Sequence, residues 1–158
     1  MHGGDENTKE RTEREMSVML GFAVRQMLLD SVGVADIVGD KIYPAVATQG
    51  VPSYPYVSYN TQITGVQYAK GPEGIQPTVD SCQVEVSGVA KSWDTGVRLL
   101  AAIRKAVECK SVGYEDGYDF EADPMEVVSA VCVYNEELDA YEATMILETT
   151  TQEVTEEE

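Results

Sequence analysis

Apolar and polar residues alternate strictly between Ser81 and Gly88: Cys82, Val84, Val86 and Gly88 against Ser81, Gln83, Glu85 and Ser87. A period of two sends successive side chains to opposite faces, so this stretch is a strand with one face in water. The period then lengthens. Gly96, Leu100, Ile103 and Val107 recur at four and three, with Val97 and Leu99 flanking, while Arg98, Lys105 and Glu108 keep to the other side. That is the apolar stripe of an amphipathic helix. Ser92 or Asp94 stands where a side-chain oxygen accepts a free first-turn N–H. A strand with one apolar face running into a helix with one apolar stripe buries both only by folding back, which packs a helix on a sheet.

The flanking segments extend this unit. Thr12 and Glu15 have the spacing of a capping box, and Met16, Leu20, Ala23, Val24 and Met27 follow at helical spacing to Asp30, with Phe22 and Leu28 widening the stripe. Ser31 to Lys41 is a short helical turn, Ile42-Tyr43-Pro44 a brief extended piece, and Val51 to Pro55 a turn. From Tyr56 to Ile63 a second strand places Val57, Tyr59, Thr61 and Ile63 on one face. Thr64 to Thr78, with its glycines and prolines, reads as a long connection, and loops of that length usually interact with something. Cys109 to Glu126 is acidic and reads as mostly irregular, with one short extended piece near Val112 or Tyr118. Val127 to Tyr134 is strongly apolar, Asn135 to Asp139 carries turn chemistry, and Tyr141, Ala143, Met145 and Leu147 alternate with polar neighbours, which makes a hairpin.

The pattern predicts an α+β fold: an antiparallel sheet of four to five strands with two amphipathic helices packed on one face. The expected boundaries are a disordered N-terminal extension over 1–13, one domain over 14–150, and an acidic tail over 151–158. The expected core is Leu20, Val24, Val57, Val84, Val86, Leu100, Ile103, Val107, Val131, Met145 and Leu147.

Charge changes the picture most. The 158 residues carry 28 Asp and Glu against 11 Lys and Arg, a formal −17, where small domains usually hold a magnitude of about 2–8. Binding the nucleic-acid backbone works by Lys and Arg displacing counterions, so a chain this acidic is expected to hold neither nucleic acid nor an anionic membrane. No run approaches the roughly 20 apolar residues that span a bilayer, and the first residues have no apolar stretch for secretion. The expectation is a protein that stays where it is made. Cys82, Cys109 and Cys132 lie far apart without paired ligand spacing, which reads as reduced thiols.

Candidate chemistry is sparse. Activating a serine or cysteine normally takes a histidine, and the only one, His2, falls in the expected extension. Lys70-Gly71-Pro72-Glu73-Gly74 lacks the spacing of a phosphate loop. Asp119, Glu121 and Asp123 alternate like the first ligands of an EF-hand, but Pro124 stands where that loop needs Gly and Ala130 where it needs Glu. No pair among the acids is singled out for proton transfer. The expectation is no enzyme, no cofactor and no metal. Tyr54, Tyr56, Tyr59, Tyr68, Tyr114, Tyr118, Tyr134 and Tyr141 all fall outside the predicted helices. Tyrosine buries a ring and keeps a wet hydroxyl, which suits protein interfaces.

One sequence stretch, Val34-Ala35-Asp36-Ile37-Val38-Gly39-Asp40-Lys41-Ile42-Tyr43-Pro44, is followed by Val51-Pro52-Ser53-Tyr54-Pro55-Tyr56-Val57-Ser58-Tyr59. With the strand ending in Ser92-Trp93 and the helix Val97 to Val107, this order resembles the tail-completion (tail-terminator, head–tail joining) proteins of long-tailed bacteriophages, over about Met16 to Thr150. The acidic segment Tyr114 to Glu126 and the Glu-rich end depart from that pattern. The resemblance implies a structural protein, acting as a ring of copies of itself, often six, sometimes monomeric in isolation. It implies tail-tube and head-connector proteins as partners, DNA passing without being bound, and a place in the bacterial cytoplasm and then in the virion tail. Under it, the long connection supplies an assembly contact through Tyr68, Lys70, Glu73 and Ile75, and the negative charge lines or flanks the channel. The rival expectation is an acidic α+β adaptor or calcium-binding module.

Overall fold

A computed structural model describes residues 20–45, 52–72, 74–110, 112–114 and 120–153. The expected extension, the capping box at Thr12 and Glu15, Met16, Val51, Glu73, Tyr118 and Asp119 lie outside the described residues. In chain order the elements are α1 (Leu20–Asp30), α2 (Val32–Val38), β1 (Ile42–Pro44), β2 (Tyr56–Gly71), β3 (Gly74–Ala90), α3 (Trp93–Val107), β4 (Val112–Tyr114), β5 (Phe120–Ala122), β6 (Glu126–Asn135) and β7 (Ala140–Glu153).

Local signals place the helices. Ser31 caps α2, its hydroxyl accepting from the Val34 N–H at 3.3 Å, and Gly39 closes that helix with φ 66°, where a side chain would be strained. Ser92, not Asp94, caps α3, accepting from the Thr95 N–H at 3.2 Å. Asp94 sits in the first turn of α3 and Arg104 and Lys105 in the last, each favourable to the helix dipole.

The fold is α+β as the pattern predicts, with seven strands among the described residues. The order runs β1-β2-β3-β7, and the far edge of β7 is shared: β6 pairs Ala140 to Glu148, β5 pairs Thr151 to Glu153, and β4 pairs β5. The β1–β2 pair is parallel and the others antiparallel. The strands beyond the expected four to five are β4 and β5, because the acidic segment contributes two short extended pieces that pair rather than one. β7 runs through Thr151, which is buried, to Glu153, past the residue where the tail was expected to begin.

One apolar cluster lies between the helices and one face of the sheet. Leu20, Val24, Leu28, Val34, Val38, Ile103 and Val107 meet Val57, Cys82, Val84, Val86, Met145 and Leu147. Two expected core residues are corrected. Leu99 is fully buried and Leu100 only partly, since the stripe of α3 runs Gly96, Leu99, Ile103, Val107. Leu99 fills the space left by Gly88: a Cβ there would come within 2.4 Å of its Cδ2. Val131 is 48% exposed. A register shift between Val127 and Ser129 reverses the alternation of β6, so Cys132 opposite Ala143 faces the helices and Val131 opposite Thr144 faces away. The remaining expected core residues are all buried.

Candidate assembly surface

The sequence predicts a loop over Thr64 to Thr78. The chain instead continues β2 and β3 as one long hairpin, ending where Gly71 pairs with Gly74. The glycines and prolines that suggested a loop are absorbed by irregular pairing. The register shifts between Ile63 and Gly65 and again between Gln67 and Tyr68, and Pro77 stands beside the second shift, a place where a strand tolerates proline. A threonine braces each shift: Thr64 donates to the Ser81 carbonyl and Thr78 to the Gln67 carbonyl, both at 3.2 Å.

Among the described residues β3 pairs with β7 only from Val79 onward, so Tyr68 to Gly71 and Gly74 to Thr78 extend past it as a two-stranded arm. At about 3.3 Å per residue the arm projects on the order of 15 Å. Of the residues expected to form a contact, Tyr68 is 64% and Ile75 72% exposed, and Lys70 is exposed and pairs with Ile75 across the arm. The structure brings these three together at one tip.

The second surface is the sheet face turned away from the helices. By register it presents Tyr56, Ser58, Asn60 and Gln62 of β2; Gln83, Glu85, Ser87 and Val89 of β3; Glu142, Thr144, Ile146 and Glu148 of β7; and Ser129, Val131 and Val133 of β6. No helix among the described residues covers it. Ser87 is buried there and shares a 3.1 Å hydrogen bond with the Thr144 hydroxyl. Val133 is 51% exposed. Within this set the charges are Glu85, Glu142 and Glu148, with no lysine or arginine.

Aromatic rings close the lower end of this face. Tyr56 lies 5.8 Å from the Tyr54 ring and 6.4 Å from Tyr43. The Lys91 ammonium stands 5.0 Å from the Tyr54 ring centre, and the Tyr54 hydroxyl donates to the Leu138 carbonyl at 2.9 Å. Burial, then the neighbouring Tyr54 and Glu142, push the Tyr56 hydroxyl above its ordinary pKa, so it remains a neutral donor. On the other side of the sheet Tyr134 packs edge-on to Tyr141 at 5.4 Å and donates to the Asp139 carboxylate, which raises its pKa.

Near the base of the arm a concavity of about 420 Å³ is lined by Thr64, Ser81, Cys82, Asp123, Pro124, Glu126, Glu148, Thr149 and Thr150. Asp123 is already engaged: its carboxylate accepts from the Thr150 hydroxyl and its carbonyl from Thr149 at 2.6 Å. Among the described residues no three His, Cys, Asp or Glu side chains converge as metal ligands would. Of the thiols, Cys82 is buried, Cys132 is half-buried with its pKa raised by burial, and Cys109 is exposed at a positive φ of 59°. Among the described residues no helix is long and apolar enough to cross a membrane.

Sequence reasoning missed the open edges of the sheet. β2 beyond Tyr59 and the whole of β6 each have a partner strand on one side only among the described residues.

An α+β domain with helices on one sheet face, the other face bare and a long arm is the class the geometry defines. No protein-family model matches the chain. No curated protein matches it either. Among solved structures, a chain in one titled "Virion of native gene transfer agent (GTA) particle" superposes with a TM-score of 0.63 over 82% of this chain and 92% of that one. At 19% identity the likeness shows a shared fold.

Proposed function

We propose that this chain is a structural virion protein of a phage-like particle. It completes or terminates the tail tube and joins it to the head, acting as a ring of its own copies. The observation that carries the reading is the one-sided sheet. Among the described residues, helices cover one face while the other face, two strand edges and the arm are left bare, which is the build of a subunit completed by neighbours. The fold shared with a chain of a gene transfer agent virion supports a place in a particle. The partners in this reading are the tail-tube and head-connector proteins, with assembly in the bacterial cytoplasm before incorporation into the tail.

The arm tip, with Tyr68, Lys70 and Ile75, contacts a neighbouring copy or the tube. With the helices outward, the face bearing Glu85, Glu142 and Glu148 turns to the channel, where carboxylates repel the phosphate backbone and let DNA pass without sticking. No step of this role transforms a substrate.

Sizing the chain alone and with its tail-tube protein, followed by electron microscopy, tests the reading. Rings, alone or seated on tube ends, are the expected result. A chain that stays monomeric at high concentration and ignores the tube overturns it.

A further inference from the structure

We propose that the acidic segment after Glu153 folds back over the groove between the α1–α2 corner and α3 of its own chain, its glutamates paired with Lys105 and Lys110. The contact lies within one copy and stands apart from the ring reading above.

The groove, about 540 Å³, exists because small residues meet at a corner. α1 stops at Asp30 and the Ser31 cap starts α2 directly after it, so the chain turns sharply beside α3. A Cβ on Gly33 would lie 3.6 Å from the Ala102 Cβ, and Ala106 continues the same wall. These side chains are too short to fill the corner, and Val32 at its lip is 74% exposed. Lys105 and Lys110 border the groove, both exposed and without an ion-pair partner among the described residues. Asp30, the one carboxylate among its described lining residues, accepts from the Gln26 amide at 2.9 Å. The groove is thus net positive on a chain of formal −17. The concavity at the base of the arm is its opposite, with Asp123, Glu126 and Glu148 and no base.

Charge and chain direction select the occupant. Beyond Glu153 the sequence continues Val154-Thr155-Glu156-Glu157-Glu158, three carboxylates in five residues. The ends of β7 and α3 lie close together. The Cys109 N–H donates to the Met125 carbonyl at 2.8 Å, the Met125 N–H to the Lys110 carbonyl at 3.2 Å, and the Asp123 N–H to the Thr150 carbonyl at 2.9 Å. Glu153 stands about 10 Å past Thr150 along its strand. The residues after it reach about 16 Å when extended, enough to turn back to Lys110, with Lys105 behind it on the last turn of α3. The other bases on offer are poorer. Lys70 is a single charge out on the arm, and Arg104 is already paired with Glu108. Pairing the glutamates in the groove also relieves part of the self-repulsion of so acidic a chain.

Two measurements on the full chain test the contact, and both must succeed. The first is carbodiimide coupling at low salt, read by peptide mass spectrometry on a mixture of light and isotope-labelled chains. The expected products join Glu156, Glu157 or Glu158 to Lys105 or Lys110 within one chain, with yields that fall as salt is added. No coupling, coupling only to other lysines such as Lys70, or coupling only between chains overturns the proposal. The second compares lysine acylation rates in the unaltered chain and in the variant Glu156→Gln, Glu157→Gln, Glu158→Gln. Lys105 and Lys110 are expected to react roughly two- to fivefold faster in the variant, while Lys41 and Lys70 keep their rates. Unchanged rates at Lys105 and Lys110, or an equal rise at every lysine, overturn it. Neither measurement depends on ring formation, so failure here leaves the ring reading standing.

Discussion

Cys132 and Val133 are adjacent in β6 and sit on opposite faces of the same sheet. Cys132 stands opposite Ala143 and packs beside Gly96 of α3, while Val133 opposite Glu142 is 51% exposed. The contrast holds across the sheet: Val84 and Met145 are fully buried under helices, whereas their neighbours Glu85 and Ile146 are only half-covered. Apolar residues therefore do two jobs here. Those under the helices hold the fold together, and exposed ones on the bare face such as Val131 and Val133 add little to it because the folded chain leaves them in water.

The sharpest way to break that comparison is a pair of truncations. Leu99→Ala removes a fully buried side chain seated against Gly88 and is expected to cost about 2–5 kcal/mol in urea unfolding. Val131→Ala removes an exposed one and is expected to change stability by no more than about 0.5 kcal/mol. Comparable losses for both would show that the bare face is part of the core.

A smaller effect probes the same contact from the sheet side. Gly88→Ala places a methyl group where Leu99 lies, and forcing one more carbon into a packed core costs about 1–3 kcal/mol. In the Leu99→Ala background the added methyl partly fills the space left behind, so the two losses are expected not to add. Additive losses in thermal unfolding would mean that Leu99 does not occupy the site.

Alternation and helical spacing revealed the α+β layout, the β6–β7 hairpin and most of the core, because each records which side of an element meets other apolar atoms. They failed where the backbone is irregular. The shift between Val127 and Ser129 reversed the face of Val131, and no residue type there announces it. Leu99 displaced Leu100 because Gly88, far away in sequence, left a hollow for it. The arm read as a loop because Gly65, Gly71, Gly74, Pro72 and Pro77 are loop formers by local rule, whereas long-range pairing of β2 with β3 decided the outcome. Tyr68, Lys70 and Ile75 were legible as exposed residues. The open edges were not, since an edge is defined by a neighbour that is missing.

Helix capping comes next in size. Replacing Ser92 by Ala leaves the Thr95 N–H without its acceptor at 3.2 Å and is expected to lower stability by about 1 kcal/mol in urea unfolding, with Ser92→Gly losing only a few tenths. Equal losses from both would place the cause outside the cap. The bare face has no counterpart to this device, so the same measurement on Ser58→Ala is expected to show almost nothing.

The smallest expected effect contrasts the charges of the two sides. On the helix layer Arg104 holds Glu108 in a two-pronged pair, and the hydrogen bond from Arg104 lowers the Glu108 pKa below its ordinary value. A carboxylate whose folded pKa is lowered adds stability above its unfolded pKa, and that contribution fades as the pH falls through the lowered value. Both side chains lie at the surface, so the gain is slight and screened by salt. Glu108→Gln is therefore expected to melt slightly below the unaltered chain at neutral pH and to match it in acid. Glu85→Gln, on a face whose strand residues offer no base beside it, removes only one of several like charges and should not lower the melting temperature at neutral pH. Were Glu85→Gln to destabilise as Glu108→Gln does, the bare face would hold an ion pair, and its role as a repelling channel wall would lose its basis.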